Sequence, residues 1–153
     1  MPGLNAILDL GTAVSSVAEN LANGNYIRKG LEQHGTAIID MNISQLYDQG
    51  VNSLGIDISS YRPYSPYTIM LKKEKGQPYD RVTLRDTGAF HSSFEMVLEN
   101  FEFYFTATDY KTQELIHKYG ENIFGLTEEN KKIVAHDYVF PVVMDEVKKE
   151  IFG

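Results

Sequence analysis

The chain contains no cysteine and no tryptophan. Without thiols there is no disulfide framework, no thiolate zinc or iron–sulfur site and no cysteine nucleophile. No apolar run approaches the roughly 18 residues that a membrane span requires; the longest candidates, such as Tyr138–Met144, are interrupted by Pro141. The opening Met1-Pro2-Gly3-Leu4-Asn5-Ala6 has no basic segment, so no leader is expected and the reading is a chain made in a cytoplasm. Basic residues are also short: 14 Lys+Arg face 21 Asp+Glu, a formal charge of −7 that disfavours a basic nucleic-acid footprint.

What is present fits an ordinary folded chain. At 153 residues and 42% hydrophobic content, a core can form without disulfides or metal. The ten tyrosines and eight phenylalanines supply its aromatic bulk. Tyrosine suits surfaces buried on assembly, and equally a core that happens to use it. The charge is uneven. Residues 1–76 hold 6 basic and 7 acidic side chains, net −1, and residues 77–153 hold 8 and 14, net −6.

Periodicity assigns most of the elements. Leu4, Ile7, Leu8, Val14, Val17 and Leu21 recur at helical spacing, so residues 4–21 read as an amphipathic helix stopped by Asn23-Gly24-Asn25. Residues 1–25 are expected to be this helix or an arm, and 26–153 a single α+β domain. A second helix is expected from Tyr26 to about Asp48, with Gly50 as its stop and Gly30 and Gly35 inside it. Ser65-Pro66 reads as N-cap and first residue of a helix that Gly76 ends. Val82-Thr83-Leu84 reads as a brief extended piece. Phe94, Met96, Leu98, Phe101, Phe103 and Phe105 alternate with mostly polar residues, a hairpin turning at Glu99-Asn100. A short helix over 111–119 ends at Gly120. Thr127 caps a last helix that Pro141 should kink. The fold class is therefore α+β: long N-terminal helices, a small antiparallel hairpin sheet and a proline-kinked C-terminal helix.

Motifs for chemistry are sparse. His34, His91, His117 and His136 show no ligand spacing, so neither metal nor cofactor is expected. No G-x-S-x-G elbow, phosphate loop or dinucleotide fingerprint occurs. A small hydrolase would have to use Asp86, His91 or His117. Tyr61, Tyr64 and Tyr67 lie three apart in the proline-containing run Tyr61-Arg62-Pro63-Tyr64-Ser65-Pro66-Tyr67, which reads either as a docking surface or as a loop clamped to its own domain.

The segment Val82-Thr83-Leu84-Arg85-Asp86-Thr87-Gly88-Ala89-Phe90-His91-Ser92-Ser93-Phe94 resembles the "L-x-D-T-G-x-L/F-x-x-S-I/F" stretch of tailed-phage virion morphogenesis proteins, the tail-completion or head–tail connector subunits. Further on, Phe124-Gly125-Leu126-Thr127 is similar to that family's entry into its last helix. On this resemblance Leu84, Asp86, Thr87, Gly88, Phe90, Ser93, Phe94, Phe124, Gly125, Leu126 and Thr127 are structural motif positions, with Gly88 making a tight turn and Phe90 and Phe94 anchoring it. D-T-G also marks aspartic proteases, but here the sequence departs from that site at Phe90. The resemblance implies a non-catalytic ring of six or twelve copies in the virion neck. Its partners would be portal or connector and tail proteins, and DNA would pass through without sequence-specific binding. The alternatives are the small hydrolase and a generic protein-interaction adaptor.

Overall fold

A computed structural model describes residues 2–99 and 101–153. The fold is α+β, mostly helix with one two-stranded antiparallel hairpin. The chain divides into two compact units: Met1–Gly35, Leu98–Phe103 and Lys132–Gly153 form the first, and Thr36–Val97 and Tyr104–Lys131 the second.

The first unit is built on helices. α1 spans Pro2–Ala22, and Gly11 does not break it. Asn23 and Gly24 turn the chain, with Gly24 at φ 78°, where a side chain would be strained. α2 follows at Asn25–Gln33. The last helix begins with α7, Glu128–Ile133, passes through a π-helical stretch at Val134–Val139 and continues as α8, Phe140–Phe152. Pro141 sits in the first turn of α8, where its missing N–H removes one helical hydrogen bond, and the π-helical stretch lies immediately ahead of it. Val17, Tyr26, Leu31, Val134 and Val142 are buried in this unit. Gly30 is there because a Cβ would lie 3.0 Å from the Val139 Cα, so only glycine lets the two backbones come this close. Lys29 and Glu146 form an ion pair between α2 and α8, and the His34 and Tyr138 rings stack at 4.9 Å.

The second unit holds the main core: Leu46, Ile58, Val82, Leu84, Phe90, Phe94, Tyr119 and Ile123. The long second helix expected over 26–48 is in fact broken at His34. α3 starts afresh at Gly35–Ser44 and runs into a π turn at Gln45–Gln49, which Gly50 ends at φ 67°. α4, Pro66–Glu74, is capped by the Ser65 hydroxyl accepting the Thr68 N–H at 3.1 Å. Val82–Leu84, expected to be extended, forms no strand: it is a buried irregular loop, because Leu84 turns into the left-handed region at φ 56°. α5 is the single turn Ala89–Ser92. β1, Phe94–Glu99, pairs with β2, Glu102–Ala107; Asn100, assigned to the turn, lies outside the described residues. α6, Thr112–Tyr119, ends at Gly120, whose φ is 85°. The hairpin face expected to be apolar is divided: Phe94 and Phe105 are buried, whereas Phe101 is exposed.

Candidate functional site

The loop at Val82–Gly88 is held by side chains rather than by a ladder. The Tyr64 hydroxyl accepts the Thr83 N–H at 3.1 Å. The Thr83 Oγ1 accepts the Arg85 N–H at 3.3 Å, bridging the left-handed Leu84. The Lys72 ammonium donates to the Arg85 carbonyl and to the Gln77 Oε1, and the Gln77 amide donates to the Asp86 carbonyl at 2.8 Å. A non-glycine residue in this region costs on the order of 1–3 kcal/mol, and this clamp, with the buried Leu84 side chain, offsets it. Gly88 then turns at φ 91°, and the Thr87 hydroxyl accepts the Ala89 N–H at 3.3 Å to start α5.

Beside the loop lies a cavity of about 310 Å³ whose walls include Tyr64, Lys72, Arg85, Asp86, Lys111 and Tyr119. Lys72 is buried, with its ammonium 5.2 Å from the centre of the Tyr64 ring. The Lys75 ammonium donates to the half-exposed Asp86 at 3.0 Å, and this bond, with the charges of Lys75, Lys111 and Lys72, holds the Asp86 carboxyl below its usual range. Burial pushes the His91 imidazole down to about 4, against a hydrogen bond with the Thr83 backbone that favours the charged ring, and the Arg85 and Lys72 charges add to the fall. His91 is therefore neutral at pH 7, and it packs edge-on to Tyr47 and Phe94. Its Nε2 has no partner among the described residues. His117 is exposed on α6. Asp86 lines this cavity and His91 two other, more open hollows, so the three hydrolase candidates do not converge on these cavities. Among the described residues, no three or more His, Asp or Glu side chains are grouped to hold a metal.

The motif positions separated in sequence come together here. The Phe124 ring lies 5.2 Å from Phe94 and 6.1 Å from Phe90, and Phe90 meets Phe94 edge-on at 5.1 Å. Ser93 ties α5 to the hairpin. Its hydroxyl donates to the Phe90 carbonyl at 2.8 Å and accepts the Asp109 N–H at 3.0 Å. Leu126 is buried, and the Thr127 hydroxyl accepts the Asn130 N–H at 3.3 Å at the start of α7. The three tyrosines divide: Tyr61 and Tyr67 are exposed, and Tyr64 is turned inward onto Thr83.

Two residues that the sequence pattern did not single out hold the second motif. Asn42 and Gln45 are fully buried. The Asn42 amide donates to the Ile123 carbonyl at 3.0 Å, and its Oδ1 accepts the Gly125 N–H at 2.9 Å. Gln45 donates to the Gly125 carbonyl at 3.0 Å and accepts from the Thr127 N–H at 2.9 Å and the Asn130 amide at 2.6 Å. The available signal was two amides three residues apart on the helix face that also carries Ile38 and Leu46. This arrangement fixes backbone and brings no nucleophile to a base; its chemistry is structural. No family model, curated protein or solved structure matches the chain.

Proposed function

We propose that the chain is a structural, non-catalytic subunit of a tailed-phage neck. It would form a ring of six or twelve copies between portal or connector and tail, in virions assembled in a bacterial cytoplasm. The observation that carries this reading is the distribution of large apolar side chains. Among the described residues eighteen are exposed, against sixteen hydrophobic residues buried, so much of the apolar content is left for contacts beyond the monomer. The specific assembly comes from the resemblance of Leu84–Phe94 and Phe124–Thr127 to connector subunits. It is supported by the employment of Asp86 and His91, the first tied to Lys75 and the second kept neutral among aromatic rings. An acidic subunit also suits a channel through which DNA slides, since like charge prevents sticking.

The test is electron microscopy of the purified protein with mass spectrometry of tailed particles from the host. Closed rings, and the chain in the particles, are the expected results. A protein that never forms rings and never enters particles overturns the reading.

A further inference from the structure

α1 carries two stripes. Ala13, Ser16, Val17 and Asn20 are buried or half-buried and face the rest of the first unit. The other stripe is Leu4, Ile7, Gly11, Val14, Ala18 and Leu21, every one of them exposed, the four larger ones by 42–67%. Its steps alternate strictly between three and four, which makes these residues the a and d positions of three heptads. At about 100° per residue the two stripes are centred roughly 130° apart, so the heptad seam is a second face and not an edge of the first. Leu8 and Leu10 flank the seam and are exposed too. The only charged residues of α1 are Asp9 and Glu19. Both fall on outer positions, away from the seam and its flanks, so nothing on it repels a second copy.

We propose that this seam docks antiparallel on the same seam of a second copy of the chain. In an antiparallel pair each a position faces a d position. With the two-fold axis level with the bond between Thr12 and Ala13, Leu4 meets Leu21, Gly11 meets Val14 and Ala18 meets Ile7. Both small residues then face branched ones. A Cβ at Gly11 would have nothing within 4 Å, so the seam is open here, and the missing side chain leaves a recess between its neighbours on the seam that can take the facing Val14. A parallel pair in register would set Gly11 on Gly11 and Ala18 on Ala18, leaving two of six layers hollow. The contact is isologous, as a two-fold pair requires. With each of the six exposed seam and flanking Leu, Ile and Val residues burying on the order of 100 Å² per copy, the pair buries about 1,200 Å², the lower end of stable specific interfaces.

The native absence of cysteine makes the test clean. Leu4→Cys and Leu21→Cys are prepared separately in the full chain, mixed and treated with an added oxidant. The expected result is cross-linking between the two variants, with little self-linkage of either alone. Self-linked Leu4→Cys pairs would instead mean a parallel seam, and a chain that sediments as a 17.3 kDa monomer up to the highest soluble concentration, without cross-links, overturns the proposal outright. Two further variants separate docking from folding. Val14→Asp changes an exposed position and should weaken the pair at least tenfold with an unchanged far-ultraviolet spectrum. Gly11→Leu favours the helix yet fills the recess, so it should weaken the pair as well; tighter association in that variant sinks the antiparallel register. Asp9→Asn, on an outer position, should leave the pair as it is. The pairing does not rest on the ring reading. Rings that form normally from mixed Leu4→Cys and Leu21→Cys protein giving no seam cross-link would refute the pairing alone, and a cross-linked pair that never closes into rings would refute the ring alone.

Discussion

Replacing Asn42 with alanine removes two hydrogen bonds and leaves two buried backbone groups, the Ile123 carbonyl and the Gly125 N–H, without their partner. Stripping a buried group in this way costs roughly 1–3 kcal/mol, so the pair gives about 2–6 kcal/mol. Two effects reduce it. Alanine favours the helix over asparagine by on the order of 0.5 kcal/mol. A water entering the vacated place would recover part of the rest, but it would find these two groups as partners, the lower end of the 2–4 that hold a buried water. The expected net loss is about 2–4 kcal/mol. Because the chain has two units, a single global transition is an unsafe gauge, and amide hydrogen exchange is the better assay. The Gly125 amide should lose protection by the full amount. The Thr127 amide, which donates to Gln45, should lose less and serves as internal control.

Asn42→Asp sharpens the test. The shape is kept and one oxygen still accepts the Gly125 N–H, but the other now faces the Ile123 carbonyl, and a carboxylate is buried. Burial raises the pKa of the introduced carboxyl above its unfolded value, so the native state holds the extra proton more tightly. The penalty should therefore grow as the pH rises above about 4 and shrink below it. A loss under 1 kcal/mol in the alanine variant, with Gly125 protection unchanged, would refute the view that Asn42 holds this segment.

Two further outcomes follow from the same unit. Gly125 has φ +123°, and a Cβ there would lie 3.0 Å from the Ser53 Cβ; Gly125→Ala should cost about 2–3 kcal/mol, read as lost amide hydrogen-exchange protection in the second unit. Ser53→Gly should recover the contact part and leave the backbone part, so full recovery would contradict the φ argument. For His91, the folded imidazole titrates near 4 against 6.5 unfolded, so its contribution is complete above pH 6.5 and falls away between 6.5 and 4. That difference corresponds to about 3 kcal/mol. The depressed Asp86, Glu114 and Glu146 carboxyls also lose stability on acidification, at lower pH, so the quantity to measure is the difference between wild type and His91→Phe from pH 7 to pH 4.5. Equal slopes would refute the buried neutral ring.

The parts of the fold that were legible in the sequence are those set by local chemistry. Ser65-Pro66, Thr127 and the alternation around Glu99 each carry their own instruction in a few neighbouring residues. The break at His34 carries only a weak one: helical spacing continues through it, and the glycines Gly30 and Gly35 lower helix propensity without marking where the chain turns. Val82-Thr83-Leu84 has strand composition, but the Lys72 and Tyr64 side chains take up the backbone groups that a ladder would have used. Asn42 and Gln45 read as ordinary polar helix residues until Gly125 is brought beside them.

α1 shows why periodicity stops short of function. The apolar spacing of Leu4, Ile7, Leu8, Val14, Val17 and Leu21 correctly announced a helix, and it left open which side is covered. The fold turns inward the stripe around Val17, which has one large apolar residue, and leaves the richer stripe exposed. Amphipathic spacing states that a face must be covered, not by what. In a chain that covers itself the richest face is the inner one; here the order is reversed, and the excess apolar surface on the outer seam is the physical reason to look for a second copy.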